Sequence, residues 1–257
     1  MKKIFKKNLL AYEIMNVIKD PSQIGFGVVF PIVFISILLP SIMQQIPDIA
    51  GAEKELIRNQ FFIGYLIIGP LVINLQGLAT SFAKEIETNC ILRLNLFGYD
   101  NKQILCAKTL ASIICCILVS ALYLLIVPSI VDFKMPSWDI ILFYGINLLL
   151  IFVLLFVFGY IIAMITRRSN VSLAITMFLY FFIMLVSGLF GITLDSFPDI
   201  LTTISNGIPI SFLVNDTTAI FTDLPNYNYA MLIQSYVISI SVAIILLFYV
   251  FYKNKRR

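Results

Sequence analysis

The residues best placed to do chemistry lie in one charged segment, residues 84–103. Its two acids, Glu85 and Glu87, continue a long apolar run, and Asn89 can end that helix because asparagine tolerates the left-handed conformation. A short helix with an apolar face is predicted next, followed by a turn. Such a helix fits a groove on another protein, whereas the alternative is a helix that lies on lipid headgroups. The residues assigned to this contact are Glu85, Glu87, Cys90, Ile91, Leu92, Arg93, Leu94, Leu96, Phe97 and Gly98.

Catalysis by the chain itself is not expected. The sequence holds no histidine and no G-x-x-x-x-G-K-[ST] phosphate-binding loop, which excludes imidazole acid–base chemistry and nucleotide hydrolysis by that route. Its four cysteines show neither a disulfide pattern nor the spacing of a metal site. We therefore predict no catalytic residue, no directly bound cofactor and no metal site.

Six apolar stretches are long enough to cross a bilayer as helices, since about 20 residues span its apolar core. They run over residues 24–43, 61–82, 104–127, 140–165, 171–190 and 229–252. The chain is 60% hydrophobic and 12% charged, against roughly 25% charged in a soluble domain. Fifteen of its eighteen basic residues, Lys108 among them, fall on the side that holds both termini. The positive-inside rule places that side in the cytoplasm.

Two further segments complete the predicted fold. Residues 1–20 form an amphipathic helix, with Met15 on the apolar face and Glu13 on the polar face, which we expect at the inner membrane surface. A cytoplasmic helix or a frayed tail is the alternative. Residues 191–228 contain apolar pieces too short to span, and we interpret them as short re-entrant or interfacial helices. The prediction is an all-α integral membrane protein with six transmembrane helices and one domain over residues 1–257.

Seven side chains at membrane depth are candidates for lining a translocation path. Polar groups in lipid turn toward other helices or a cavity, and bonding between helices is the commoner role for any one of them. The candidates are Asn74, Gln76, Asn147, Thr176, Phe182, Ser187 and Gln234. No ionised side chain lies deep inside a predicted span, which argues against a proton-driven or ion-driven carrier. Such a carrier stays open, because backbone carbonyls and hydroxyls can bind sodium.

A series of motifs runs from the charged segment to the outer end of the chain. They are Glu85-x-Glu87, Leu92 to Leu96, Gly98, Ile104, Lys108, Ser187 to Phe190, Phe197-Pro198 and Asn206 to Pro209. This order, together with the six spans, resembles the permease of type-2 ABC exporters over the whole chain. Asn89 stands where that family usually has glycine, and Gly98 where proline is common. We therefore expect the charged segment in its usual place but different in detail.

The resemblance implies a coupling helix within residues 84–103 and separate ATP-binding subunits that hold ATP and Mg²⁺. The permease would then be no enzyme itself. It would pair with a second permease chain, identical or related, and have no nucleic-acid partner. Its implied location is the bacterial cell membrane, crossed several times, with both termini in the cytoplasm.

The predicted path carries amides, hydroxyls and aromatic rings but no charge, which suits amphipathic or hydrophobic cargo. We expect outward movement of amphipathic peptides or hydrophobic drugs from the cytoplasm or inner leaflet. Two other roles within the same architecture stay open. One is export of a polysaccharide or a teichoic-acid-like polymer, and the other is a peptide-binding immunity or scaffold subunit that transports nothing.

Overall fold

The computed structural model describes residues 7–45, 51–131, 133, 136–190 and 198–255. Within these ranges the chain is helical and has no strand, so the all-α prediction is confirmed. The helices are α1 (Lys7–Ile18), α2 (Pro21–Ile24), α3 (Phe30–Gln45), α4 (Gly51–Pro70), α5 (Leu78–Glu87), α6 (Cys90–Leu96), α7 (Asn101–Val131), α8 (Trp138–Thr166), α9 (Ser169–Val186), α10 (Asp199–Ser205), α11 (Pro209–Asn215), α12 (Thr217–Asp223) and α13 (Tyr229–Lys255).

Six helices are long and apolar enough to cross a membrane, as the sequence predicts. Two π-helical segments, Gly25–Val29 and Leu71–Gly77, join α2 to α3 and α4 to α5, so the first two spans are continuous helices. The spans are Pro21–Gln44, Lys54–Glu87, Asn101–Val131, Trp138–Thr166, Ser169–Val186 and Tyr229–Lys253.

The second span, α4 to α5, is the centre of the bundle. Its most apolar stretch is wholly buried within the chain, whereas in the corresponding stretches of the other five spans no more than 33% of the residues are buried. Helices α3, α7, α8, α9, α11 and α12 pack against it. Side chains in the middle of this span therefore face protein, and the exposed apolar faces of the surrounding helices are left for lipid.

The second span also begins earlier than predicted. The sequence placed residues 44–60 in an outer loop, yet α4 is helical from Gly51. Its first turns carry the charged residues Lys54 and Arg58. Hydropathy therefore marked where the helix becomes apolar and not where it begins.

The fifth span is shorter than its apolar stretch. We predicted it over residues 171–190, but α9 ends at Val186. Gly188 adopts a φ of 74°, and the amides of Gly188 and Leu189 donate back to carbonyls of the last helical turn. Helices commonly end in this way, with a glycine in the left-handed conformation after the last turn. The apolar residues after the glycine extended the predicted span beyond it.

The close contact between α8 and the π-helical segment Leu71–Gly77 depends on one glycine. A Cβ atom at Gly159 would collide with the backbone carbonyl oxygen of Asn74. A backbone atom cannot rotate away as a side chain can, so any larger residue must push the two helices apart. Gly145, on the same helix, has no neighbouring atom within 4 Å of such a Cβ.

Gly159→Ala is expected to destabilise the chain by about 1–3 kcal/mol, because overpacking forces the backbone to shift. Gly145→Ala is the matched control and should be neutral or slightly stabilising, since alanine favours a helix. The measurement is thermal unfolding in detergent, followed by labelling of the buried thiols of Cys115 and Cys116 after the two half-buried cysteines have been replaced by serine. Equal unfolding temperatures for the two variants would contradict the close contact.

The segment between the fifth and sixth spans contains short helices, as predicted, namely α10, α11 and α12. Six of the seven residues of α11 are buried, and the Tyr144 hydroxyl donates to the carbonyl of Leu213 at 3.2 Å. The Tyr227 hydroxyl donates to Asp216 Oδ2 at 2.6 Å. Burial, and then this bond, raise the pKa of Tyr227 well above its ordinary value, so the phenol stays a donor. Residues 191–197 of the predicted element lie outside the described residues.

Helix α1 lies along α7. Leu9 and Glu13 are buried, whereas Met15 and Ile18 stay half exposed. The predicted apolar face thus points away from the bundle, where a helix at a membrane surface would meet lipid. The opposite face, with Glu13, points into the protein and not into solvent. Residues 1–6 lie outside the described residues.

Candidate coupling site

The short helix predicted in the charged segment is α6, and residues with positive φ stand at both of its ends. Asn89, with φ of 54°, separates α5 from α6 as predicted, and Gly98, with φ of 83°, lies in the turn before α7. Both residue types adopt this conformation at low cost. Only two residues separate α5 from α6, so the connection is short.

The inner face of α6 packs against the bundle. Ile91 and Leu94, together with Tyr99, contact a small buried cluster formed by Leu9 and Ile104 and a neighbouring alanine. The cluster joins α6 to α1 and α7. Ile91 and Leu94 therefore help to hold α6 against the bundle, and their contact with a partner stays a prediction.

The outer face of α6 is apolar and exposed. Leu92, Leu96 and Phe97 have 62%, 81% and 78% of their surfaces accessible. Beside them a groove of about 470 Å³ runs between α6, α5, α7 and the end of α8, with Leu92 and Ile86 among its apolar lining residues. Large apolar side chains grouped outside a spanning region mark an interaction surface.

An ion-pair triad lies behind α6. Lys108 Nζ donates to Glu13 Oε2 at 2.7 Å and to Glu85 Oε1 at 2.6 Å. The Lys108 side chain is only 3% exposed, and both carboxylates are buried. A buried lysine is tolerated when close carboxylates compensate its charge. The triad ties α1 to the end of α5 and the start of α7.

The triad bears on two sequence assignments. Lys108 was grouped with the basic residues on the side of both termini, and the structure shows that it is buried within the chain. Glu85 was assigned to the docking contact, but its carboxylate points inward to the lysine. The available signal was the position of Lys108 inside an apolar stretch, where an ionised side chain requires a partner. Its partner Glu13 lies 95 residues away and carried no such signal.

The second acid of the pair, Glu87, is exposed but is also hydrogen-bonded to the bundle. Glu87 Oε2 accepts a hydrogen bond from the backbone amide of Ser169 at 2.9 Å, at the start of α9. A carboxylate is favourable at a helix N-terminus. On α6, Arg93 donates to the carbonyl of Thr88 at 3.2 Å, and Cys90 Sγ lies 3.6 Å from the Tyr12 hydroxyl of α1. Glu85 and Glu87 therefore connect the end of α5, which leads into α6, to α7 and α9.

Five of the seven path candidates are buried inside the single chain. The Asn74 amide nitrogen lies 3.4 Å from Cys116 Sγ, and neither amide atom of Gln76 has a hydrogen-bond partner among the described residues. Thr176 donates to the carbonyl one turn before it. The five buried candidates are Asn74, Gln76, Asn147, Thr176 and Ser187.

The remaining contacts show that the candidates do not share one surface. Asn147 Oδ1 accepts from the Tyr236 hydroxyl at 3.0 Å, which links α8 to α13. Ser187 meets a serine of α11 at 3.2 Å. Phe182 is half buried and stacks with its neighbour one turn away, and Gln234 lies on the exposed face of α13. A path along all seven stays a prediction.

Comparison with known proteins identifies the architecture. The family described as ABC-2 type transporter matches residues 7–222, from the start of α1 into α12. The matched region includes α6, the triad and five of the six spans. Neither the curated proteins nor the solved structures gave a match. Because the family match covers most of the chain, we conclude that it belongs to the ABC-2 type transporter family, as a membrane subunit of an ABC transporter.

Proposed function

We propose that the chain is the permease of an ATP-driven exporter that moves amphipathic peptides or hydrophobic drugs outward from the cytoplasm or inner leaflet. Separate ATP-binding subunits supply the energy and hold ATP and Mg²⁺, and a second permease chain completes the transporter. The observation that carries this proposal is the apolar outer face of α6, formed by Leu92, Leu96 and Phe97. This apolar surface is exposed in the isolated chain, so contact with a partner that buries it would be favourable. The helix that carries it is held against the bundle.

The connections of α6 support a coupling role. The ATP-binding subunits close on each other when they bind ATP, and a subunit seated on α6 would move this helix. The short joint at Asn89 transmits that movement to α5, which is the continuation of the central span. The triad around Lys108 transmits it to α1 and α7.

The spans favour cargo with apolar surface. In the described part of the spans, away from their ends, the buried polar side chains are amides and hydroxyls. The fifth span presents Phe178 and Phe181 on its exposed face, beside the half-buried Phe182. Such surfaces accept apolar groups and a few hydrogen bonds, and offer no counter-charge to a polyanion.

The test of this function is transport in inside-out membrane vesicles that contain the permease and its ATP-binding subunit. A labelled amphipathic peptide should accumulate with ATP and not with ADP, and dissipating the proton and sodium gradients should not stop it. Peptide-stimulated ATP hydrolysis without accumulation would indicate an immunity or scaffold subunit. A deletion strain that changes only its surface glycopolymer would show that the cargo class is wrong.

The proposed orientation gives a separate prediction. On a background without the four native cysteines, single cysteines at Asp199 and Asn226 should react with an impermeant thiol reagent in intact cells. A cysteine at Asn95, exposed on α6, should react only after the membrane is opened. The positive-inside rule predicts this orientation, because fifteen of the eighteen basic residues are assigned by sequence to the α6 side. Labelling of the Asn95 position in intact cells would reverse it.

A further inference from the structure

A second cavity opens at the same end of the bundle. Its volume is about 760 Å³, within the range of about 300–1,000 Å³ typical of ligand sites. The corner between α1 and α2, the end of α5, α6 and the start of α9 form its walls. Three basic side chains contribute to the lining, namely Lys19, Lys84 and Arg93.

The acidic groups of this lining are already engaged. The Asp20 carboxylate accepts from the backbone amide and hydroxyl of Ser22 and from the side-chain amide of Gln23, at 2.7–3.0 Å. Glu85 is bound to Lys108 in the triad. The threonine hydroxyls of the wall donate to backbone carbonyls. Asp20 and the threonine hydroxyls are thus hydrogen-bonded within the protein, while Glu85 is paired through Oε1 and its Oε2 has no hydrogen-bond partner among the described residues.

The cations of the lining are not engaged in the same way. Among the described residues, neither Lys19 nor Lys84 pairs with an acid. Arg93 donates from one nitrogen to the carbonyl of Thr88, and its guanidinium has five N–H groups. The cavity therefore presents cationic donors in excess, an arrangement that suits a phosphate group.

Apolar surface adjoins this basic cavity. Ile24, just after the α1–α2 corner, and Val171 and Ile175, at the start of α9, are exposed. Met15 and Ile18 on α1 are exposed as well. These side chains stand on elements that form the cavity walls. A ligand with an anionic head and an apolar tail would satisfy both surfaces at once, since its tail can lie along the helices while its head is inside.

We propose that this cavity binds the phosphate group of an anionic bilayer phospholipid, one whose headgroup carries no balancing ammonium, with Lys19, Lys84 and Arg93 as its ligands. The bound phosphate joins α1, α5 and α6, because each helix or its adjoining corner contributes one of the three cations. The site includes Arg93 of α6 but none of the apolar residues Leu92, Leu96 and Phe97, and it does not depend on which cargo the transporter carries.

The test uses the purified full chain in nanodiscs of phosphatidylcholine with about one fifth phosphatidylglycerol, and native mass spectrometry of the lipid retained after transfer to detergent. The wild-type chain should retain phosphatidylglycerol preferentially. The triple variant Lys19→Gln, Lys84→Gln, Arg93→Gln should retain at least about fivefold less, since one basic contact near an anionic lipid is worth about 1 kcal/mol.

The control variant changes the same charge at the same end of the bundle but outside the cavity, at Lys102, Arg168 and Lys253, each to glutamine. It should retain the lipid as the wild type does. Equal retention by the two triple variants, whether both keep the lipid or both lose it, would overturn the site. If the cavity variant fails to fold, the three single substitutions decide, and unchanged retention in all of them is contrary to the proposal.

Soluble probes distinguish the source of the phosphate. Inorganic phosphate and glycerol 1-phosphate, titrated into the detergent-solubilised chain, should bind weakly and lose that binding in the cavity variant. Tight binding of either soluble probe without preferential retention of phosphatidylglycerol would assign the cavity to a free anion and overturn the phospholipid. Lys19→Arg with Lys84→Arg should preserve lipid retention, because the charge is kept.

Discussion

Lys108→Met should lower the free energy of unfolding by about 3–5 kcal/mol, the cost of removing one partner from a buried ion pair. Methionine fills much of the space of lysine. Glu13 and Glu85, however, would be left as two buried carboxylates without a cation. Thermal unfolding in detergent measures the loss, with the buried thiols of Cys115 and Cys116 as reporters on the same helix as Lys108.

The control for this variant removes all three charges. Glu13→Gln and Glu85→Gln, added to Lys108→Met, leave groups of similar volume and no buried ion. This triple variant should recover at least half of the lost stability. If it unfolds at the temperature of the single variant, the loss comes from packing and the triad is not held together by its charges.

Leu96→Asp together with Phe97→Asp should abolish association with the ATP-binding subunit while the permease stays folded. Both side chains are exposed, so the isolated chain loses little packing. In the complex each aspartate would have to leave water for an apolar contact, which costs several kcal/mol. At about 1.4 kcal/mol for each factor of ten, association should weaken at least about 100-fold. Co-purification of the ATP-binding subunit and its stimulated hydrolysis are the measurements.

Two neighbouring positions sharpen this test. Asn95→Asp adds the same charge to the exposed part of α6 without removing apolar surface, and should leave association nearly normal. Leu94→Asp, on the packed inner face, should destabilise the permease itself. Normal co-purification with the Leu96 and Phe97 double variant would show that the ATP-binding subunit docks elsewhere.

The features that the sequence revealed are those encoded locally. Six apolar stretches of sufficient length fix the number of spans, because lipid leaves the backbone no alternative to a helix. Asn89 and Gly98 marked the ends of α6, because few residues adopt their backbone conformation at low cost. The alternation of apolar and polar positions could not show which face of α6 is covered, since Leu94 and Leu96 differ only in what lies beside them.

The features that the sequence missed depend on distant contacts. Asn74 and Gln76 suggested a path because they are polar in a span, but their burial follows from the central place of that span among the others. The partners of Lys108 come from two other helices. The π-helical segments leave no signal in the hydrophobic pattern. The need for glycine at position 159 follows only from the backbone carbonyl of Asn74, which belongs to another helix.

The joints at this end of the bundle leave the chain few degrees of freedom. Two residues, Thr88 and Asn89, separate α5 from α6, and two, Arg167 and Arg168, separate α8 from α9. With planar peptide bonds, each pair supplies only four soft torsions, and Asn89 and Arg167 are already set in the left-handed region. Such a short connection allows the two joined helices little independent movement. If the ATP-binding subunit displaces α6, as proposed, we expect the displacement to reappear as a tilt or rotation of the central helix.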